Sequence, residues 1–82
     1  MLDVRIADNL WATSLLPEGR LERWRVEDGQ IVHLGEVLAE VRLEDALHDI
    51  LSPADGRARR IAGVGDVIEP GSLLARLEIV TA

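Results

Sequence analysis

Two short stretches of this chain, Ala39-Glu40-Val41-Arg42-Leu43 and Ala75-Arg76-Leu77-Glu78-Ile79, place apolar residues at odd positions and charged residues at even ones. A period of two marks a strand with one buried face, because successive side chains of a pleated strand point to opposite sides. Both stretches are expected to be antiparallel strands that turn their charges to water. They also belong to a repeat: Gly29, Gly35, Leu38, Ala39 and Val41 recur thirty-six positions later as Gly65, Gly71, Leu74, Ala75 and Leu77. Turn chemistry punctuates the rest at Pro17-Glu18-Gly19, Asp28-Gly29, Pro53-Ala54-Asp55-Gly56 and Pro70-Gly71, the last suited to a type II turn.

Many short strands at this spacing predict an all-β fold, a flattened barrel or sandwich. The repeat predicts two halves of about four strands, each too small to cover its own apolar face, packed about a pseudo-twofold axis as one domain over residues 1–82. Residues 8–16 break the pattern. Their run Asn9-Leu10-Trp11-Ala12-Thr13-Ser14-Leu15-Leu16 could make a helical turn, but it has no clear caps and is expected to be a loop wrapping the barrel. Trp24 is expected to pack in the core and Trp11 to cover it, since an indole buries a large apolar area.

Length and composition narrow the class without altering this picture. A chain of 82 residues makes one small domain that buries roughly 60% of its unfolded surface. Its residues are 48% hydrophobic, so it is not of disordered composition. No apolar run approaches the roughly 20 residues of a transmembrane helix, and no membrane contact is expected. The start Met1-Leu2-Asp3-Val4-Arg5-Ile6 lacks a basic leader followed by a hydrophobic stretch, which makes the cytoplasm the expected setting. Cysteine is absent, so disulfides, thiolate nucleophiles and thiolate metal ligands are excluded.

Charge removes a further class. Fifteen acids stand against nine arginines for a net charge of −6, whereas a nucleic-acid surface needs concentrated positive charge. Only Arg57, Arg59 and Arg60 cluster, and two tryptophans without any Phe or Tyr offer no stacking platform. All nine basic residues are arginine, where average composition would give roughly four or five lysines.

Candidate chemistry is sparse. Ser14, Ser52 and Ser72 sit in no nucleophile elbow, and Ser52 reads as turn chemistry before Pro53. His33 and His48 are the only imidazoles, and His33 with Glu36 supplies too few ligands for zinc, which needs three or four. No metal site and no catalytic residue is expected. The sharpest local feature is Glu44, Asp45 and Asp49 around a hairpin, with His48 between them. These carboxylates form either a recognition tip or a merely solvated turn, since exposed charges usually contribute little. A glycosidase-type carboxylate pair would need a cleft that so small a closed barrel does not imply.

The same hairpin carries a resemblance. Leu38-Ala39-Glu40-Val41 leads in, Ala46 follows the tip, and Ser52-Pro53-Ala54-Asp55-Gly56 comes after five intervening residues. This is similar to the biotinyl/lipoyl attachment family, and most of all to the lipoyl domains of 2-oxoacid dehydrogenase acyltransferases, which run Leu-Ala-Glu-Ile-Glu-Thr-Asp-Lys-Ala, five residues, then Ser-Pro-x-Asp-Gly. Upstream, Glu18-Gly19-Arg20-Leu21-Glu22-Arg23-Trp24-Arg25-Val26 resembles the family's Glu-Gly-x-Ile-x-x-Trp-x-Val. Downstream, Gly65-Asp66-Val67-Ile68-Glu69-Pro70-Gly71-Ser72-Leu73-Leu74 resembles its Gly-Asp-x-Val-x-x-Gly-x-x-Leu. The likeness spans Leu2 to Ile79 and implies a barrel-sandwich of two four-stranded halves.

It also implies that Asp45 stands where the family carries its attachment lysine. A carboxylate cannot form the amide of a swinging arm, so no cofactor is expected. The expectation is a non-catalytic interaction module that docks on a protein partner of a 2-oxoacid dehydrogenase or biotin-dependent system. Two other readings stay open: a carrier by family assignment alone, and an adaptor similar to the lipoyl segments of membrane-fusion proteins. A homodimer through Trp11 or an exposed strand edge is a further expectation to test.

Overall fold

Alternation becomes pleat in the computed structural model of the chain, which describes residues 1–7 and 18–79. The described residues form eight strands and no helix: β1 Leu2–Arg5, β2 Gly19–Trp24, β3 Ile31–Val32, β4 Val37–Leu43, β5 Ala46–Leu51, β6 Gly56–Arg60, β7 Val67–Ile68 and β8 Leu73–Glu78. The expectations for residues 8–16 and for Trp11 lie outside the described residues.

Two four-stranded antiparallel sheets result, in the orders β1-β8-β6-β3 and β5-β4-β2-β7. Exchanging each strand for the one four places away in the chain turns the first order into the second, so the predicted pseudo-twofold is present in the connectivity. The halves interleave, because each sheet takes two strands from β1–β4 and two from β5–β8. An edge-to-edge stack of separate halves would leave each half's apolar face open. Interleaving lets each half complete the other's sheet.

Symmetry extends to individual hydrogen bonds. Gly29 N–H donates to Ala58 O at 2.7 Å, and Gly65 N–H to Leu21 O at 2.8 Å. The turns that carry the two other repeated glycines close with Glu36 N–H on His33 O and Ser72 N–H on Glu69 O, both 2.9 Å. In the second of these Pro70 precedes Gly71, whose φ of 82° is the left-handed value that position i+2 of a type II turn requires. The equivalent Gly35 has φ 86°. A side chain at either position would be strained, which accounts for the repetition of glycine rather than of another small residue.

Two apolar clusters fill the interior. Ile6, Leu21, Val41, Leu43, Ile68 and Leu74 belong to one, and Val4, Val26, Val32, Leu38, Ala58 and Leu77 to the other. Half-buried Trp24 and Ile50 pack against both, so the indole joins the clusters as a core residue. Its Nε1–H donates to Ala62 O at 3.1 Å, which satisfies the polar end that burial would otherwise leave unpaired. Each fully buried Leu, Ile or Val contributes about 1.5–3 kcal/mol relative to exposure.

One expectation needs correction. The alternation of β4 turns Arg42 to the surface side as predicted, but Glu40 is buried, at 5% exposure. β2 carries a bulge between Leu21 and Arg23, which sets Arg23 directly across from Glu40. Arg23 Nε lies 3.1 Å from one carboxylate oxygen of Glu40 and Arg25 Nη1 2.5 Å from the other. Glu40 is therefore covered by two arginine stems on the outer face rather than sunk among apolar side chains. A period-two pattern assigns a face; it does not say what lies over that face.

Candidate functional site

The β4–β5 hairpin presents the candidate residues. Leu43 pairs with Ala46, which leaves Glu44 and Asp45 as a two-residue turn, both exposed. The register below is held by Val41 opposite His48 and Ala39 opposite Ile50, and of these Val41, Ala39 and Ile50 feed the core. A one-residue slip would turn buried Val41 and Leu43 to water, so the turn sits on a fixed base. Glu44 has φ 55° and is the only non-glycine with positive φ among the described residues. That conformation costs an L-residue roughly 1–2 kcal/mol, a cost the paired strands on either side impose.

Beside the turn, Glu18, Arg20, Glu22, Arg42, Glu44 and Val67 are among the residues lining a small open hollow of about 260 Å³. Arg42 is tied to Glu22 at 3.3 Å, and Arg20 Nη1 donates to Gly65 O at 3.2 Å. The hairpin end thus carries charges of both signs, and the acidic turn residues Glu44 and Asp45 are exposed.

Not every residue grouped from the sequence meets there. Asp49 lies four residues beyond Asp45 along β5, about 13 Å at strand rise, and faces Glu40. His48 is half-buried, on the opposite side of the pleat from Asp49, so it does not stand among the carboxylates. His33 lies just after β3, where its backbone N–H donates to Glu36 Oε1 at 3.0 Å and its ring Nδ1 is 3.8 Å from Asp55 Oδ1. Ser52 hydroxyl donates to Ala54 O at 2.7 Å, the turn role its sequence suggests. The arginine cluster disperses as well: Arg57 donates to Gly29 O, Arg59 pairs with Glu78, and Arg60 lies over Trp24.

Glu40 is the residue whose setting sequence reasoning missed. Hydrogen bonds first from Arg25 and then from Arg23 hold its carboxyl below the usual range, against the opposing effect of burial. The signal was present in Arg23-Trp24-Arg25, two cations flanking a core tryptophan, but it required the cross-strand register to be read.

A biotinyl or lipoyl arm is joined through an amide to a side-chain amine. The turn residues are carboxylates and the 82-residue sequence contains no lysine, so the residues present do not fit such a group.

Comparison with known proteins places this geometry. The biotin/lipoyl family, described as "Biotin-requiring enzyme", matches residues 12–77. The chain belongs to this biotin/lipoyl family. Among curated proteins, this biotin/lipoyl domain is 38% identical over 65 residues to the lipoamide acyltransferase component of the branched-chain alpha-keto acid dehydrogenase complex of Pseudomonas aeruginosa, covering 78% of the chain and 15% of that protein. It is 33% identical over 61 residues to acetyl-CoA carboxylase of Dictyostelium discoideum, covering 74% of the chain and 3% of that protein. Its fold matches the solved lipoyl domain of the 2-oxoglutarate dehydrogenase complex from Azotobacter vinelandii with a TM-score of 0.74, at 20% identity over 95% of this chain and 96% of that one. Biotin/lipoyl domains are carrier modules within multienzyme systems and are not themselves catalytic.

Proposed function

We propose that this biotin/lipoyl domain works without a swinging arm, as an interaction module whose hairpin end docks on a protein partner. The observation that carries the reading is an exposed two-residue turn, Glu44-Asp45, at the tip of a well-registered hairpin in a sequence with no lysine. The spacing from Ala46 to Ser52-Pro53-Ala54-Asp55-Gly56 supports Asp45 as the counterpart of the attachment lysine. The partner is a component of a 2-oxoacid dehydrogenase or biotin-dependent system, a reading supported by the names of the two curated relatives. Glu44 and Asp45 make the exposed turn acidic, so the partner's contact surface carries arginine or lysine.

The test is quantitative capture from native extract at near-physiological bait concentration, comparing wild type with the Glu44→Ala/Asp45→Ala variant. The reading expects a dehydrogenase or carboxylase component retained by wild type and depleted with the variant. Equal recovery on both baits, or recovery on neither, overturns it.

A further inference from the structure

The pseudo-twofold supplies an internal reference for β5. Strands β1 and β5 are equivalent edge strands, and residues forty-six positions apart occupy matching places: Leu2 pairs with Leu77 as His48 pairs with Val41, and Val4 with Ala75 as Ile50 with Ala39. The bonds that end the strands match too, Ile6 N–H on Ser72 O at 3.0 Å and Ser52 N–H on Glu36 O at 2.8 Å. Asp3 and Asp49 are therefore counterparts. Asp3 has two cations, Arg76 across the ladder and Arg5 two residues on, each 3.3 Å away. At Asp49 both are replaced: Glu40 stands where Arg76 would, and Leu51 where Arg5 would. Arg23 and Arg25 turn to Glu40, and no arginine lies within ion-pair distance of Asp49 among the described residues.

This carboxylate stands on β5, an edge strand among the described residues. No described strand pairs with the outer side of β5. Because Leu43 and Ala46 close a two-residue turn and Ser52 N–H bonds inward, alternation aims the backbone N–H and C=O groups of Leu47, Asp49 and Leu51 away from β4. Leu47 and Leu51 flank Asp49 on the same face at 47% and 53% exposure. Next to it, an open cleft of about 720 Å³ between β1 and β5 is lined by the apolar Leu2, Val4, Ile50, Leu51 and Pro53 and by the charged Asp49, Asp3 and Arg5, the last two paired with each other.

We infer that β5 receives an extended segment of a partner protein bearing an arginine or lysine between aliphatic residues. The segment adds a strand to the outer side of β5, sets its cation against Asp49 between Leu47 and Leu51, and turns its alternate apolar side chains into the cleft. The inference goes beyond the docking of the hairpin end, since it uses the side of the sheet and neither turn residue.

The probe is the acetylated, amidated peptide Leu-Val-Arg-Val-Leu, titrated into the 82-residue chain and followed by amide NMR. In the free chain the amides of Leu47, Asp49 and Leu51 are expected to exchange fast. The peptide should shift and protect them along with residues of the cleft. Asp49→Asn should weaken binding about two- to fivefold, the range of an exposed ion pair, and Leu-Val-Glu-Val-Leu should bind more weakly still. The inference is overturned if those amides are already protected in the free chain, if they shift with protein concentration alone, if the arginine and glutamate peptides bind equally, or if neither binds. The hairpin-end reading stands or falls separately, because Glu44→Ala/Asp45→Ala should leave this titration unchanged.

Discussion

Trp24 and Arg60, thirty-six residues apart and equivalent under the internal repeat, meet with the guanidinium carbon 5.2 Å from the centre of the indole ring. Equivalent residues can touch only close to the pseudo-twofold axis, so this contact marks where the two halves join. Trp24 also packs against both apolar clusters, whereas Arg60 is exposed. The effects of substitution should be unequal. Trp24→Ala should cost about 2–4 kcal/mol, somewhat below the range for a fully buried tryptophan. Arg60→Ala should cost about 0.5–1 kcal/mol, the worth of an exposed cation–π contact. Urea unfolding followed by circular dichroism measures both, and similar losses would contradict the assignment of Trp24 as the joining residue.

Close approach of backbones explains two further glycines. A Cβ on Gly19 would lie 2.6 Å from Arg42 O, and one on Gly56 would lie 2.7 Å from Glu78 O. Arg42 and Glu78 are repeat equivalents, so the crowding is the same contact made twice. Gly56→Ala should destabilise by about 1–3 kcal/mol through overpacking, with Gly19→Ala in the same direction. An unchanged denaturation midpoint for Gly56→Ala would show that the strands separate at no cost.

Glu40 should give the fold an acid-sensitive component. Its carboxyl is held below the usual range by Arg25 and Arg23 in the folded chain, so folding favours the ionised form. The resulting stability is fully present above the unfolded glutamate value of about 4.3 and is lost as pH falls through the lower folded value. Wild type should therefore lose thermal stability below about pH 4.3 more steeply than Glu40→Gln. Glu40→Gln should be the less stable of the two at pH 7, where it leaves two arginines without their carboxylate. Parallel melting curves across that window would rule out Glu40 as the source.

The hairpin geometry makes a prediction about modification of its turn. Asp45→Lys combined with Glu44→Asp places an Asp-Lys-Ala tip on an unchanged pair of strands. This variant should accept lipoate from a lipoate ligase in vitro, with wild type remaining unmodified. Refusal by the correctly folded variant would mean that the turn, with residue 44 at φ 55°, has diverged in shape as well as in residue.

Much of this architecture was legible in the chain. Gly29, Gly35, Gly65 and Gly71 announce the repeat because each occupies a backbone conformation that side chains avoid, and a local constraint of that kind is written in one residue. The alternation of Ala75 to Glu78 likewise needs no knowledge of its neighbours, although β8 ends there and leaves the expected fifth position, Ile79, outside the strand and exposed. Glu40 was misread because its burial depends on a bulge in β2 and on where Arg23 and Arg25 come to rest, which are properties of the register. Asp49 stands apart from Glu44 and Asp45 because nearness in sequence is not nearness on a strand that rises about 3.3 Å per residue. The interleaving of the halves was hidden too, since a repeat declares that two units are alike and leaves open which strands they exchange.

The central claim, a biotin/lipoyl domain that works without a swinging arm, is tested most directly by the intact mass of the protein purified from its native host. The predicted mass is that of the bare polypeptide, in every growth condition in which the host's own carrier domains are modified. A species heavier by one lipoyl or biotinyl group would contradict the account, and peptide mapping of that species would identify the nucleophile that took the place of lysine.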